Sequence, residues 1–252
     1  AFRAARPIVW MRERSERRNP SLSASRMATS DTSGMSKPSR RQSYAYDVAN
    51  LLSQWMGNQF MWVRNAFTEA YRSRQIGLME QAQQVADELM QDVDDLLLTL
   101  PPFDFYQWCR DAQRWGRGKA EQSYFDQEAA TLLTTWGGPV LNDYANRLWG
   151  GLVGSYYQQR WDRFFTEAIN AVLHADTLRI RAFNDSLSVF ERAFALQHPL
   201  PDPPEQRVST LKVARSILRK IDASAYQAPN PVRSQLQAYM RRYPLAQLAD
   251  VY

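Results

Sequence analysis

Residues 44–73 read YAYDVANLLSQWMGNQFMWVRNAFTEAYRS, and the spacing of their apolar side chains decides the fold class. Val48, Leu51, Leu52, Trp55, Phe60, Val63, Phe67 and Tyr71 recur near three-and-four spacing, the period of one buried helix face. The same period returns downstream. Leu78, Val85, Leu89, Val93, Leu96 and Leu97 mark a second helix over 78–99, with Gly77 as the break before it and Pro101-Pro102 as a firm stop. Asp104 is placed to cap a short helix over 104–115. Gly116 and Gly118 precede another helix over 119–135, and Trp136-Gly137-Gly138-Pro139 reads as a loop. Residues 141–173 can be helical for most of their length. Helices over 178–197 and 207–221 flank the Pro-rich stretch 199–204, and a short one is possible near 234–242. No run alternates apolar and polar residues between turn signals. The expected fold is therefore all-α, a bundle of roughly six to eight antiparallel helices joined by short loops.

Composition narrows the function classes. With 44% hydrophobic residues in 252 the chain can bury a real core, yet no apolar run approaches the roughly 20 residues that span a bilayer. The first residue is Ala1, and no secretory signal peptide precedes the body. This start suggests a fragment or a processed product. Cys109 is the single cysteine, which excludes an internal disulfide and a cysteine zinc cluster and reads as a small buried hydrophobe. His174 and His198 read as surface or loop residues. Residues 1–43 hold ten Lys/Arg against three acids, a net +7, whereas the rest holds 21 against 23, a net −2. The basicity belongs to a Ser/Arg-rich tail, expected to be disordered, and the body is poorly suited to tracking phosphates.

The segment 134–165, TTWGGPVLNDYANRLWGGLVGSYYQQRWDRFF, is unusually dense in Trp, Tyr and Gly. A glycine inside a helix costs about 1 kcal/mol, so Gly150, Gly151 and Gly154 need an offset. Close backbone packing or room for a ligand would supply it. Trp136-Gly137, Asp143-Tyr144-Ala145-Asn146-Arg147, Gly151-Leu152, Tyr156-Tyr157 and Arg160 fall in an order and spacing that resembles the C-terminal domain of family 89 glycoside hydrolases, the α-N-acetylglucosaminidases. Tyr46-Asp47-Val48-Ala49-Asn50-Leu51-Leu52-Ser53-Gln54 resembles the start of that domain's first long helix, with Asn50 and Ser53 replacing an acid and an arginine. Phe190-Glu191-Arg192-Ala193-Phe194 is a weaker third match. The resemblance covers about 44–223 and leaves out the tail 1–43 and the extension 224–252.

The resemblance implies one domain of an exo-acting, retaining hydrolase of terminal α-linked N-acetylglucosamine. Its two carboxyls sit on a barrel that precedes these residues, so no catalytic residue is assigned here, and no metal or cofactor is expected. Asp92, Asp94 and Asp95 read as a solvated helix face. The resemblance places Trp136, Leu141 and Tyr144, with Ala49 less strongly, on a wall of the sugar pocket, where an aromatic face suits the C–H face of a pyranose. Residue chemistry by itself also fits Trp136 and Tyr144 as ordinary core aromatics. Arg160 reads as structural, capping a carbonyl or pairing with an acid. The implied partner is an N-acetylglucosamine-terminated glycan bound with the missing barrel, and the implied address is secreted or lysosomal/vacuolar. Neither nucleic acid for the body nor a membrane is expected. The alternative is a non-enzymatic helical scaffold whose basic arm binds nucleic acid or an acidic partner.

Overall fold

A computed structural model describes residues 40–136 and 147–229. Among them lie seven α-helices: α1 (Arg40–Arg72), α2 (Ile76–Leu97), α3 (Phe105–Gln113), α4 (Lys119–Leu133), α5 (Gln158–Leu173), α6 (Ile180–Leu196) and α7 (Thr210–Asp222). A 3₁₀ turn (Pro101–Phe103) leads into α3, and a single π-helical turn (Val153–Tyr157) leads into α5. No strand occurs among the described residues. The expected all-α fold is therefore the observed one. Residues 1–39 of the tail 1–43, Leu141, Tyr144 and the possible helix near 234–242 lie outside the described residues, and the last four residues of that tail are not disordered but form the first turn of α1.

The core runs along α1, α2 and α5. On α1 the buried line is Ala49, Leu52, Met56, Phe60, Val63, Phe67 and Ala70, an unbroken three-and-four spacing. Of the expected stripe, Leu52, Phe60, Val63 and Phe67 lie on this line and the others flank it. Leu51 is 71% exposed, and Val48, Trp55 and Tyr71 are half-buried. Small residues take the inner positions instead, on α1 and again at Ala82 and Ala86 of α2, which lets helix axes approach closely. Phe67 meets Phe165 with ring centroids 4.5 Å apart, and Phe60 meets Trp161 at 5.1 Å, so aromatic contacts fasten α5 to α1.

Gly77 is not the break between the first two helices. It lies in the first turn of α2, while the chain turns at Ser73–Gln75. There Arg74 adopts φ 54°, and the Gln75 N–H donates to the Ala70 carbonyl at 2.9 Å. The same six-residue closure ends α5, where Ala175 has φ 55° and Asp176 N–H donates to Ala171 O at 2.8 Å. It ends α7 too, where Ser224 has φ 62° and Ala225 N–H donates to Lys220 O at 2.9 Å. Helices usually place glycine at this left-handed position. Arg74 has a compensating use, because its guanidinium donates to Val172 O at 3.2 Å and ties the end of α1 to the end of α5. Ala175 has no such side-chain contact to lose. Ala175→Gly is expected to stabilise the protein by roughly 0.5 kcal/mol, the left-handed strain relieved minus the backbone entropy added. The check is a higher urea midpoint at unchanged slope.

Candidate functional site

The glycine-rich segment resolves into a tight structural joint. Residues 147–149 have no regular structure, so the expected long helix over 141–173 begins only near Leu152. Gly150 pairs with the strap ahead of α3: its N–H donates to Phe103 O at 2.8 Å, and Phe105 N–H donates to Gly150 O at 3.0 Å. A Cβ on Gly150 would lie 2.5 Å from the Leu98 nitrogen and 2.9 Å from the Asp94 carbonyl oxygen. Gly151 has φ 82°, and a Cβ there would meet the Tyr106 ring at 2.7 Å. Close packing, not room for a ligand, is what offsets the glycine cost.

Asp94 closes this joint. The expectation of a solvated acidic face on α2 fails here, because Asp94 is only 6% exposed. Its Oδ1 accepts from both Gly151 N–H and Gly154 N–H at 2.7 Å, satisfying two amides that open the helix through α5. Burial pushes the Asp94 carboxyl up to about 6, against the opposing pull of those two amides. Asp92 is also engaged. It receives Lys220 Nζ and the Tyr226 hydroxyl, each at 2.6 Å, and so anchors α7 to α2. Periodicity assigned both acids to solvent because it carries no information about contacts more than a hundred residues away or about backbone donors.

The other family-like residues are structural as well. Tyr156 and Tyr157 are buried, with ring centroids 5.3 Å apart. Arg160 pairs with Glu191 at 2.9 Å, with side-chain exposures of 10% and 3%, and its guanidinium lies 5.2 Å from the Tyr156 ring centre. The expected Arg160–acid pairing thus joins two of the segments that carry the resemblance. Asp104 caps α3 as expected, accepting from Gln107 N–H at 3.1 Å, and also receives Arg207 at 2.6 Å. Ser53, in the place of an arginine, donates to the Asn50 carbonyl at 3.0 Å.

Of the expected pocket-wall residues, Trp136 follows α4 with φ 53°, half-buried, its N–H donating to Thr131 O at 2.7 Å. Ala49 is buried in the core of α1, where protein covers its methyl group. Leu141 and Tyr144 lie outside the described residues.

Two clusters escaped the sequence reading. Asp87 of α2 and Asp162 of α5 share a side-chain hydrogen bond, and burial with that mutual repulsion raises Asp87 from the ordinary 3.8 to about 7. Asp162 is raised too, burial being the main cause. The second cluster joins Cys109, Asp126 and His198. His198 lies in the loop after α6, as expected of a surface or loop residue, but its side chain is only 1% exposed. Cys109 is buried as expected, and burial pushes its thiol far up, which argues against a nucleophilic role for the free thiol. A cavity of about 530 Å³ opens between α2 and α7, lined by Asp92, Asp95, Leu98, Arg207, Lys212 and Ile217 among others. No helix among the described residues is long and apolar enough to cross a membrane.

Comparison with known proteins gives a consistent picture. Residues 23–220 match the family described as "Alpha-N-acetylglucosaminidase (NAGLU) C-terminal domain". That span begins inside the segment read as a basic tail. The human protein named "Alpha-N-acetylglucosaminidase" is 28% identical over 180 residues, covering 70% of this chain and 24% of that protein. A family 89 glycoside hydrolase from Clostridium perfringens, solved in complex with 2-acetamido-1,2-dideoxynojirmycin, shares the fold with a TM-score of 0.57 at 23% identity, covering 70% of this chain and 21% of that one. CpGH89 from the same organism, in complex with its substrate GlcNAc-alpha-1,4-galactose, gives 0.59 at 21% identity, covering 71% and 22%. The chain therefore spans about a quarter of the length of the curated relative it matches.

Two outcomes follow for the joint and the acid pair. Gly150→Ala drives a methyl into backbone that cannot swing aside and is expected to cost about 2 kcal/mol or more in urea unfolding. Asp87, at about 7, and Asp94, at about 6, hold protons that the unfolded chain has lost above about pH 4. The folded state binds more protons in that window, so stability falls as pH rises from about 4 to 7. Urea midpoints are expected to be higher at pH 5 than at pH 8, and Asp87→Asn to flatten the slope.

Proposed function

Since the chain belongs to the family of α-N-acetylglucosaminidase C-terminal domains, we propose that it forms one wall of a pocket for terminal α-linked N-acetylglucosamine. The two catalytic carboxyls come from a barrel domain of a longer enzyme. A retaining glycosidase needs those carboxyls about 5 Å apart in one cleft, one as nucleophile and one as acid/base. One observation carries the reading. Each buried carboxylate among the described residues, Asp94, Asp104 and Glu191, is bound to backbone amides or a guanidinium that joins one helix to another. Chemistry at any of them would unfasten the bundle. The half-buried pair Asp87 and Asp162 is hydrogen-bonded carboxyl to carboxyl, without the gap that a sugar carbon requires.

The wall is assigned to Trp136, Leu141 and Tyr144, with Ala49 less strongly. The left-handed backbone at Trp136 supports this, because a bulky residue is seldom held there without a use for its direction. The exposed apolar residues Tyr44, Leu51 and Met61 of α1 fit a surface on which the barrel packs. A secreted or lysosomal/vacuolar address goes with this reading.

The isolated chain is expected to release no product from an aryl α-N-acetylglucosaminide above the buffer blank. The polypeptide extended to include the barrel is expected to turn it over. In that extended enzyme Trp136→Ala, with its circular dichroism unchanged, is expected to lower kcat/KM about tenfold, the loss of roughly 1.4 kcal/mol of stacking. Turnover by the isolated chain would overturn the assignment.

A further inference from the structure

Three elements that are far apart in sequence bring metal-ligand chemistry to one buried point. Cys109 lies on α3, Asp126 on α4, and His198 two residues beyond the end of α6. A ligand atom from each, thiol sulfur, carboxylate oxygen and imidazole nitrogen, lies within 4.8 Å of the other two. Asp126 is 19% exposed and is the group nearest solvent.

The imidazole of His198 is the observation that asks for a ligand. Its side chain is 1% exposed, yet neither ring nitrogen has a hydrogen-bond partner. A buried polar group in that state costs about 1–3 kcal/mol. The Asp126 Oδ1 atom is likewise buried without a hydrogen bond. The two approach to 3.3 Å, beyond good hydrogen-bond geometry. A zinc ion with tetrahedral bonds of about 2.0–2.2 Å sets its nitrogen and oxygen ligands about 3.4 Å apart. The observed separation is thus the edge of such a tetrahedron. The rings of Phe105 and Phe194 flank the imidazole, with centroids 5.2 and 5.7 Å away, and fix its plane. Nearby Arg110 is held aside, donating to Pro201 O at 2.9 Å and facing Asp104 at 3.6 Å.

We propose that Cys109, Asp126 and His198 bind one divalent zinc-class cation that clamps α3, α4 and the exit of α6 together. The charges balance. The Cys109 S–H bond breaks, its proton leaves to solvent, and a sulfur–metal bond forms. Thiolate and carboxylate then cancel the two positive charges of the ion, and the imidazole binds as a neutral donor. The fourth position, on the side of Asp126, takes water. This site is independent of the sugar-pocket reading, because it rests on a different helix interface and asks nothing of the barrel.

The test uses untagged, reduced chain and the metal alone. One zinc per chain is expected to survive dialysis and to raise the melting temperature. Replacement by Co²⁺ under anaerobic conditions is expected to give a thiolate-to-cobalt charge-transfer band and the intense visible bands of tetrahedral cobalt. Cys109→Ser is expected to abolish the charge-transfer band. Should that variant fail to fold, Asp126→Asn and His198→Gln are expected to lose the retained zinc and the tetrahedral bands, while His174→Ala leaves both unchanged. Absence of a charge-transfer band in folded wild-type protein overturns the proposal. So does retained zinc that is equal in His198→Gln and wild type, which would be an adventitious ion only.

Discussion

The bundle hangs on one carboxylate. Asp94 is placed by the buried face of α2, and it reaches across to the two glycine amides that begin the helical path into α5. Taking that carboxylate out of water is unfavourable, which is why its proton affinity rises. The two N–H donors compensate, and the glycines permit them to come close. Gly150 and Gly151 then bring the strap ahead of α3 and the Tyr106 ring against the same point. Three elements are therefore registered by one acid and a few residues without side chains. Arg160 with Glu191 and Arg207 with Asp104 extend the same device outward, each pair tying distant parts of the chain. Such pairs contribute little when both partners are replaced by apolar groups, but loss of one partner strands a buried charge.

That economy bears on function. In this domain the buried acids among the described residues, Asp94, Asp104 and Glu191, each fasten distant parts of the chain to one another. Trp136 stands just past the end of α4, half-buried and with a left-handed backbone. The bundle is held by the aromatic packing of α5 on α1 and by the Asp94 joint, and neither requires a bound sugar.

How much of this was legible in the sequence follows from the range of each signal. Helix existence and order came from local period, and the helix stops came from Pro101-Pro102 and the cap Asp104, all decided within a few residues. Half of the α1 stripe is buried as its period implies, and the rest differs because residue size is a poor proxy for burial. Ala49 lies inside and Leu51 outside, since the close approach of helices selects small residues. The break at Arg74 was assigned to Gly77 because a left-handed arginine leaves no mark in composition. Asp94 and Asp92 read as solvated because their partners lie on distant parts of the chain, and His198 stands in a loop as expected but with its side chain buried. Arg160 was read correctly in kind, and its partner Glu191 was visible only once α5 and α6 were placed side by side.

The most direct test of the central claim is native-state hydrogen exchange at the amides of Gly151 and Gly154. If Asp94 holds the joint, both amides exchange only through global unfolding, with protection matching that of core amides in α2. Exchange of either amide at the rate of an open loop, while the α2 core stays protected, would contradict the account.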